Sequence, residues 1–532
     1  MGVAMRDYIR KLLFIVPPVS PGNGAISRNL ASYNEIPFGV LSLATYINKY
    51  CSKTVNINIL DFNVSNDLAF VDKIKKTMEQ FKPDIVGISG LFNSMFSYVN
   101  EFSRYVKEIN PSLALVVGGA IATNCYELLF SHNPYIDGAC YAEGEIPMRL
   151  LVDAENPFSL LEGHPSWITR KKISSGVTPS PTFIQDLDEI PPINYAMVDL
   201  EKYDSRCRNN NPIKHEAEDT AVRLPFVTTR GCPFNCIFCA ANSLSGRKVR
   251  FMSAERVISD IKRAKEQYKM TKLVINDDQV LIDKKRIKKI LDEISDFNLI
   301  VEFPSGLNVK FIDEDIAVRL KRAGLEVANL AVESGSDHVL KKIIDKPLKT
   351  ADIKPAVDAL RKNGLLIHGF FIFGFPDESE DDRIMTIDLI KEIGFDWSNI
   401  YVAAPLMGSR LYQIFLENGY IKDEINFLDA NIYQSSLRSS EDIGKYVYRV
   451  NLDVNFVNNY RMRVGDDQLA EGYFSNVVNN HPRHAFGHYC LSMVYQRLDH
   501  DNYRSGKHMR EFHEIVATDD EWADHARYFN LI

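Results

Sequence analysis

The 532-residue chain reads as an α/β protein in three parts. A doubly wound, Rossmann-like sheet domain comes first, then a partial (β/α)6 barrel of the TIM type, then a small α-helical domain. Three observations predict this. Apolar strand-like runs alternate with helical periodicity over the first ~150 residues. The rhythm resumes at Val222 for six more strands, and strand signal fades over the last ~100 residues. The expected boundaries are 8–155, a connector at 156–221, the barrel at 222–425 and the helical domain at 426–532.

In the first domain the spacing predicts strands at 11–16, 56–61, 84–89 and 113–118, with helices at 39–49, 71–81 and 97–109 between them. Continuous apolar strands separated by helices imply a parallel sheet covered on both faces. Ligands of such sheets sit beyond the carboxyl ends of the strands. Residues 156–221 are less periodic and rich in Pro, Ser and Asp, as a connector would be. The barrel strands are expected at 222–229, 272–276, 299–305, 327–332, 366–374 and 400–404. Its helices are expected at 254–268, 284–297, 313–323, 350–363 and 380–393. A site built on this barrel belongs at the carboxyl ends of the strands. Residues 469–498 and 503–516 read as helices, and a faint tetratricopeptide-like pattern there is a single unit, which is not an array.

Composition excludes several classes. Apolar residues at 45% and charged residues at 25% are those of an ordinary globular protein. A net charge of −8 argues against a nucleic-acid partner. No apolar run approaches the ~20 residues of a membrane span. The run 12–16 is too short for a signal-peptide core, and Arg6 stands where a myristoylation signal needs Ser or Thr. Eight cysteines, three of them in one loop, fit a reducing cytoplasm.

That loop is Cys232-Pro233-Phe234-Asn235-Cys236-Ile237-Phe238-Cys239, just after the first barrel strand. Three close thiolates can hold three irons of a [4Fe–4S] cluster. Most protein-held clusters use four cysteines, so the fourth iron is left open. A zinc site would close with a fourth ligand at short range, but the next histidine is His338 and the next cysteine Cys490.

The spacing and context resemble the radical S-adenosylmethionine (SAM) superfamily over about residues 222–420. The resemblance implies that SAM chelates the open iron and is cleaved by one electron to a 5′-deoxyadenosyl radical. It implies that Phe238 packs near the adenine. Asp277 and Asp278, in Asn276-Asp277-Asp278-Gln279, would meet the SAM ammonium, since a carboxylate at the rim neutralises a cation. Glu333 and Ser334, in Glu333-Ser334-Gly335-Ser336, would take the ribose hydroxyls, a bidentate acceptor suiting a vicinal diol. Gly374 and Pro376, in Gly374-Phe375-Pro376-Asp377-Glu378, would let the backbone approach the adenine, with Pro405-Leu406-Met407-Gly408-Ser409 in similar style. Asn308 is a further polar candidate. Each has a plainer reading: core packing for Phe238, a helix cap for the aspartates, turn-making for the glycines. Lys346 reads as a surface lysine and His368 as a satisfied core histidine.

The first domain resembles the cobalamin-binding domain of cobalamin-dependent radical SAM enzymes. The matching runs are Pro37-Phe38-Gly39-Val40-Leu41, Val86-Gly87-Ile88-Ser89, Val117-Gly118-Gly119-Ala120 and Ala142-Glu143-Gly144-Glu145. The bridge Asp186-Leu187-Asp188-Glu189-Ile190-Pro191-Pro192 also fits. The implied cofactor contacts are Gly39, Ser89, Gly118, Gly119, Glu143 and Gly144, the glycines admitting the nucleotide tail against the backbone. The Asp-x-His-x-x-Gly pattern that supplies a histidine to cobalt is missing, and His132 is the one histidine in the first 150 residues. This implies base-off cobalamin with no histidine beneath the metal. Residues 17–34 are the candidate region for the lower face.

Together the resemblance implies a cobalamin-dependent radical SAM methyltransferase. It would move a methyl group to an unactivated carbon of a small molecule through the 5′-deoxyadenosyl radical and methylcobalamin. The implied cofactors are a [4Fe–4S] cluster held by Cys232, Cys236 and Cys239, SAM, and cobalamin, with an external electron donor of the flavodoxin or ferredoxin type. Residues 330–376 look most like the methylases of phosphonate antibiotic pathways, such as the fosfomycin-pathway C-methylase. No side chain is assigned a catalytic role. Rival readings are an oxidative cyclase or ring-rearranging relative without net methylation, and a non-catalytic cobalamin-binding protein. A methylthiotransferase would need further cluster cysteines, and Cys51, Cys125 and Cys140 are too scattered. The aromatic and histidine content of the tail (Tyr473, His481, His484, His488) suggests a cover over the substrate.

Overall fold

The computed structural model describes residues 9–19, 35–64, 69–203, 211–213, 221–421, 440–498 and 502–532. The first domain's strands are β1 (Arg10–Val16), β2 (Val55–Asp61), β3 (Ile85–Ser89), β4 (Ala114–Gly118), β5 (Gly138–Cys140) and β6 (Trp167–Ile168). They form one sheet in the order β2-β1-β3-β4-β5-β6. The first five are parallel, because a helix carries the chain back after each one. Leu12, Leu13 and Ile15 of β1 have no exposed surface, as a strand with helices on both faces requires. The strand order reverses between β1 and β3, which opens a crevice at their carboxyl ends. β6 pairs antiparallel with β5 and buries Trp167. The domain therefore takes its last strand from the segment read as connector. Two residues are too few to show a period.

The barrel strands are β7 (Val222–Phe226), β10 (Met270–Ile275), β11 (Ile300–Glu302), β12 (Val327–Glu333), β13 (Leu366–Phe373) and β14 (Trp397–Val402). A small ribbon of β8 (Thr229–Arg230) and β9 (Arg250–Phe251) stands apart. Two parallel ladders, β11-β10-β7 and β12-β13-β14, are joined by bridges at Val301–Leu325 and Leu307–Leu330 into one open arc. Pro225 is tolerated because β7 lies at the edge. The strand expected at 222–229 is interrupted at residues 227–228. The Asp277 carboxylate accepts the Thr228 and Thr229 N–H groups that would have continued the ladder.

The helices Ala254–Tyr268 and Glu380–Ile393 match the sequence reading at both ends. Ser253 caps the first by accepting the Arg256 N–H. Ser379 and Asp382 form a capping box on the second, which stops at Gly394 in the left-handed conformation. The helix expected over 469–498 is two, Asp467–Asn480 and Ala485–Leu498, divided where Pro482 cannot continue the first. Ser440–Leu452 and Asp520–Tyr528 are helices beyond those expected.

The helical domain does not cover the barrel mouth with the residues that suggested it. Tyr473 packs beneath the amino ends of the strands: its hydroxyl is 2.9 Å from His368 Nε2 and its ring stacks on Trp397 at 5.6 Å. His368 and Trp397 are register neighbours at the starts of β13 and β14. His484 stacks on Phe456, and His488 meets His508. His368 is a buried core histidine whose ring burial holds near a pKa of about 3. Among the described residues no helix is long and apolar enough to cross a membrane.

Candidate active site

The cysteine loop is fastened across the open side of the arc. Ile237 donates its N–H to Ile344 and accepts one from Leu411, which follows β14. Gly231, at φ +96°, lies so close to Lys248 that an added Cβ would sit 2.5 Å from its carbonyl oxygen, and the Cys232 N–H donates to Gly246. No larger residue could take this corner.

Cys232, Cys236 and Cys239 are free thiols. The Phe234 N–H and the Gln279 side chain reach the Cys232 sulfur, and the Ala241 N–H reaches that of Cys239 at 3.4 Å. Burial pushes the Cys236 thiol up to about 12, with the Lys346 ammonium pulling the other way. Cys232 and Cys236 are half-buried and Cys239 is exposed, and a nearby cation favours the thiolate form of each. Among the described residues no group of three or more His, Cys, Asp or Glu side chains is gathered to hold a single metal ion. Three cysteines on one loop, with N–H donors at the Cys232 and Cys239 sulfurs, supply the three-thiolate donor set of a [4Fe–4S] cluster. The residues fit the group.

Around this loop the expected side chains separate into two sets. Asp277 is turned inward. It accepts from the Thr228 N–H and hydroxyl, both at 2.5 Å, and from the Thr229 N–H at 3.1 Å. Ser334 is fully buried in a hydroxyl chain with Thr386 and the Ser336 N–H. Asp278, by contrast, is open to solvent although ringed by protein. Burial raises its pKa, the Gly231 N–H opposes this, and its charge is felt at Cys232 and Cys239.

Glu333 ends β12 with φ +69°, a left-handed conformation costly for a side-chain-bearing residue. Its carboxylate is 2.8 Å from Lys346 Nζ. Lys346 is thus a buried partner at the rim rather than a surface lysine, and it lies within electrostatic reach of Cys232 and Cys236. Phe238 and Phe375 face each other with ring centroids 6.0 Å apart. Gly374, at φ +87°, donates its N–H to Glu378 at 2.6 Å, and Pro376 is half-buried in the turn that follows. Asn308 caps a turn and meets Gln279 at 3.4 Å. Tyr401, which the sequence did not single out, is open at the end of β14 and near enough to Glu333 to feel its charge.

The carboxyl edge of the first domain meets this rim. Met407 Sδ lies 2.9 Å from Cys125 Sγ, and Gly408 is pressed against Asn124. Both contacts join the loop after β14 to the helix that follows Gly118-Gly119. Among the described residues, a Cβ built on Gly118 or on Gly39 would meet nothing within 4 Å. Leu91 and Phe92, just beyond β3, are 48% and 36% exposed. An open, partly apolar cradle above the β1–β3 crevice fits a corrin, and Ser89 lies at its floor beside Gly118. Gly119 differs: at φ +91° it lies against Gly90, whose oxygen an added Cβ would approach to 2.7 Å. Gly144 packs on Leu43.

Glu143 is buried in ion pairs with Arg250 and Arg230. His132 ends a helix leading to the amino edge of β5, its ring against Ser131 and the Leu128 carbonyl. Of the lower-face candidates, residues 20–34 lie outside the described residues.

A doubly wound sheet with an open carboxyl edge, set against a barrel rim carrying a three-cysteine loop, is an arrangement suited to a radical enzyme with two metal cofactors. Residues 226–390 match the Radical SAM superfamily and residues 29–152 the B12 binding domain. The chain carries the two domains that define the cobalamin-dependent radical SAM enzymes, and the cofactors of those domains are a [4Fe–4S] cluster, SAM and cobalamin. It is 29% identical to an uncharacterized methyltransferase of Pyrococcus horikoshii, over 78% of this chain and 84% of the relative. It is 26% identical to the cytidylyl-2-hydroxyethylphosphonate methyltransferase of Streptomyces wedmorensis, over 72% and 77%. It is also 26% identical to the anaerobic magnesium-protoporphyrin IX monomethyl ester cyclase of Rubrivivax gelatinosus, over 76% and 69%. The solved structure of the cobalamin-dependent SAM radical enzyme OxsB shares the fold, with TM-score 0.64, 16% identity and coverage of 98% of this chain and 80% of that one. Its relatives thus include methyltransferases and a cyclase.

Proposed function

We propose that the enzyme transfers a methyl group to an unactivated carbon of a small molecule, natural-product or phosphonate-like. The observation that carries this reading is the meeting of the two carboxyl edges. The Cys125–Met407 contact sets the Gly118-Gly119 rim against the barrel mouth, which leaves a substrate between the two cofactor sites. When bound, the cluster and SAM supply a hydrogen-abstracting radical and cobalamin supplies the methyl group.

The chain's own residues bind and orient. Cys232, Cys236 and Cys239 hold three irons and leave the fourth to SAM. Asp278, open at the rim, takes the ammonium, while Asp277 shapes the loop beneath it. Glu333, steered by Lys346, faces the ribose, and Ser334 braces the turn behind it. Phe238, with Phe375 behind it, and the backbone at Gly374 and Pro376 border the adenine. Gly39, Ser89 and Gly118 border the cobalamin. Gly119 and Gly144 keep backbone close to backbone, and Glu143 orients the domain. Tyr401 is placed to touch substrate. An external donor of the flavodoxin or ferredoxin type supplies the electron, and the setting is cytoplasmic. A phosphonate-like acceptor is supported by the described activity of the Streptomyces relative.

The test is anaerobic incubation with SAM, cobalamin, reductant and candidate phosphonates, followed by mass spectrometry. Gain of one CH2 together with S-adenosylhomocysteine and 5′-deoxyadenosine is expected. Loss of hydrogen without gain of CH2 would favour the cyclase reading, which the Rubrivivax relative supports. Absence of deoxyadenosine would reject both.

A further inference from the structure

We propose that Glu143, Glu145, Arg230 and Arg250 are positioning residues that set the distance between the corrin and the cluster. Arg230 stands two residues before Cys232, and its register partner across the β8–β9 ribbon is Arg250. Both guanidiniums are neutralised from the other domain. Arg250 binds Glu143 through two bonds, 2.6 and 3.0 Å. Arg230 binds Glu145 at 2.6 Å and approaches Glu143 at 3.4 Å. Glu143, Glu145 and Arg250 are each less than a tenth exposed. Burial works against the Glu145 charge, but Arg230 and the Ser42 hydroxyl outweigh it and hold its carboxyl below the usual range.

The network runs unbroken from one cofactor site to the other. Ala142, immediately before it, is held at φ +63°, and its N–H donates to the Thr123 hydroxyl at 3.0 Å. Thr123 lies in the short helix that opens after Gly119. From the cobalamin rim the path is Thr123, Ala142, the two carboxylates, the two guanidiniums, and the cysteine loop. Two carboxylates balance two guanidiniums, so the network carries no net charge. A buried network of this kind adds little net stability over apolar packing of the same volume. What apolar packing lacks is direction. Two-point guanidinium–carboxylate bonds admit one register, whereas a greasy interface slides. A group transfer between two bound cofactors loses rate steeply when their separation drifts by about 1 Å. Strain at Ala142 has the same meaning, since a left-handed alanine persists only where its surroundings hold it.

The test reads distance directly and needs no methyl acceptor, so it stands or falls separately from the substrate proposed above. Reconstituted wild type, Glu145→Gln and Arg250→Lys would be reduced to hold cob(II)alamin and the reduced cluster. Dipolar EPR would then measure the spacing between the two spins. Both variants should keep wild-type iron and cobalamin content and form deoxyadenosine from SAM and dithionite, while the distance distribution shifts by about 1 Å or more and broadens. An unchanged distribution in both would overturn the proposal. Glu143→Asp, which keeps the charge and shortens the reach, guards against loss of fold. If all three variants lost their cofactors, the network would be a folding determinant and the proposal would equally fail.

Discussion

Lys346 Nζ lies 2.8 Å from Glu333 Oε1, and each side chain keeps less than a tenth of its surface exposed. A buried carboxylate deprived of its cation is costly, so Lys346→Met should destabilise the reconstituted protein by about 3–5 kcal/mol. The double variant Glu333→Gln/Lys346→Met should regain more than half of that loss, because no lone charge remains. Anaerobic denaturant titrations of the four proteins check this. A double-variant loss equal to the sum of the two single losses would mean the pair is not coupled.

Removal of one sulfur tests the cluster site separately from the sheet. Cys236→Ala should lose the iron–sulfur absorption and all deoxyadenosine formation, yet bind cobalamin with wild-type stoichiometry, since that thiol belongs to the barrel loop and not to the B12-binding domain. Iron, sulfide and cobalamin assays on one preparation suffice.

Glu378 gives a pH signature. Burial raises its carboxyl to about 7 from an ordinary value of 4.5, with the Gly374 N–H and then Arg383 opposing. A carboxyl that binds its proton more tightly when folded stabilises the fold fully below about pH 4.5. That contribution is lost as pH rises through 7. Against Glu378→Gln, which keeps an acceptor for Gly374 but cannot ionise, wild type should therefore lose stability between pH 5 and 8. The upper bound is about 3 kcal/mol. Melting curves of both proteins across that window show it, and parallel curves would refute it.

Two adjacent glycines should respond in opposite ways. Among the described residues a side chain at Gly118 enters open space, so Gly118→Leu should leave stability within about 0.5 kcal/mol of wild type. It should weaken cobalamin binding at least tenfold, about 1.4 kcal/mol. Gly119→Ala forces a methyl against the Gly90 carbonyl at positive φ and should cost about 2 kcal/mol of stability. Thermal unfolding and absorbance titration with cobalamin separate the two effects.

Much of the site was legible because its chemistry is contiguous. Cys232, Cys236 and Cys239 share one loop, so their spacing along the chain is also their spacing in space. The parallel sheet and the six-stranded arc were legible from apolar runs such as those of β1 and β13, whose burial on both sides leaves a local pattern. Lys346 was not legible as a rim residue. A lysine followed by Pro347 looks like surface until β12 supplies a carboxylate beside it. The break after β7 was hidden likewise, since Asp277, 49 residues away, removes the amides the strand needed.

The chain by itself determined the two domain types, their order and the three thiolates, because periodicity and short spacings act within a few residues. The tertiary structure alone decided which charges meet. Glu143 finds Arg250 across 107 residues, and Tyr473 finds His368 across 105. Nothing local distinguishes those side chains from others of their kind. Their roles come from the docking of separately formed layers, where a buried charge is tolerated only beside its complement.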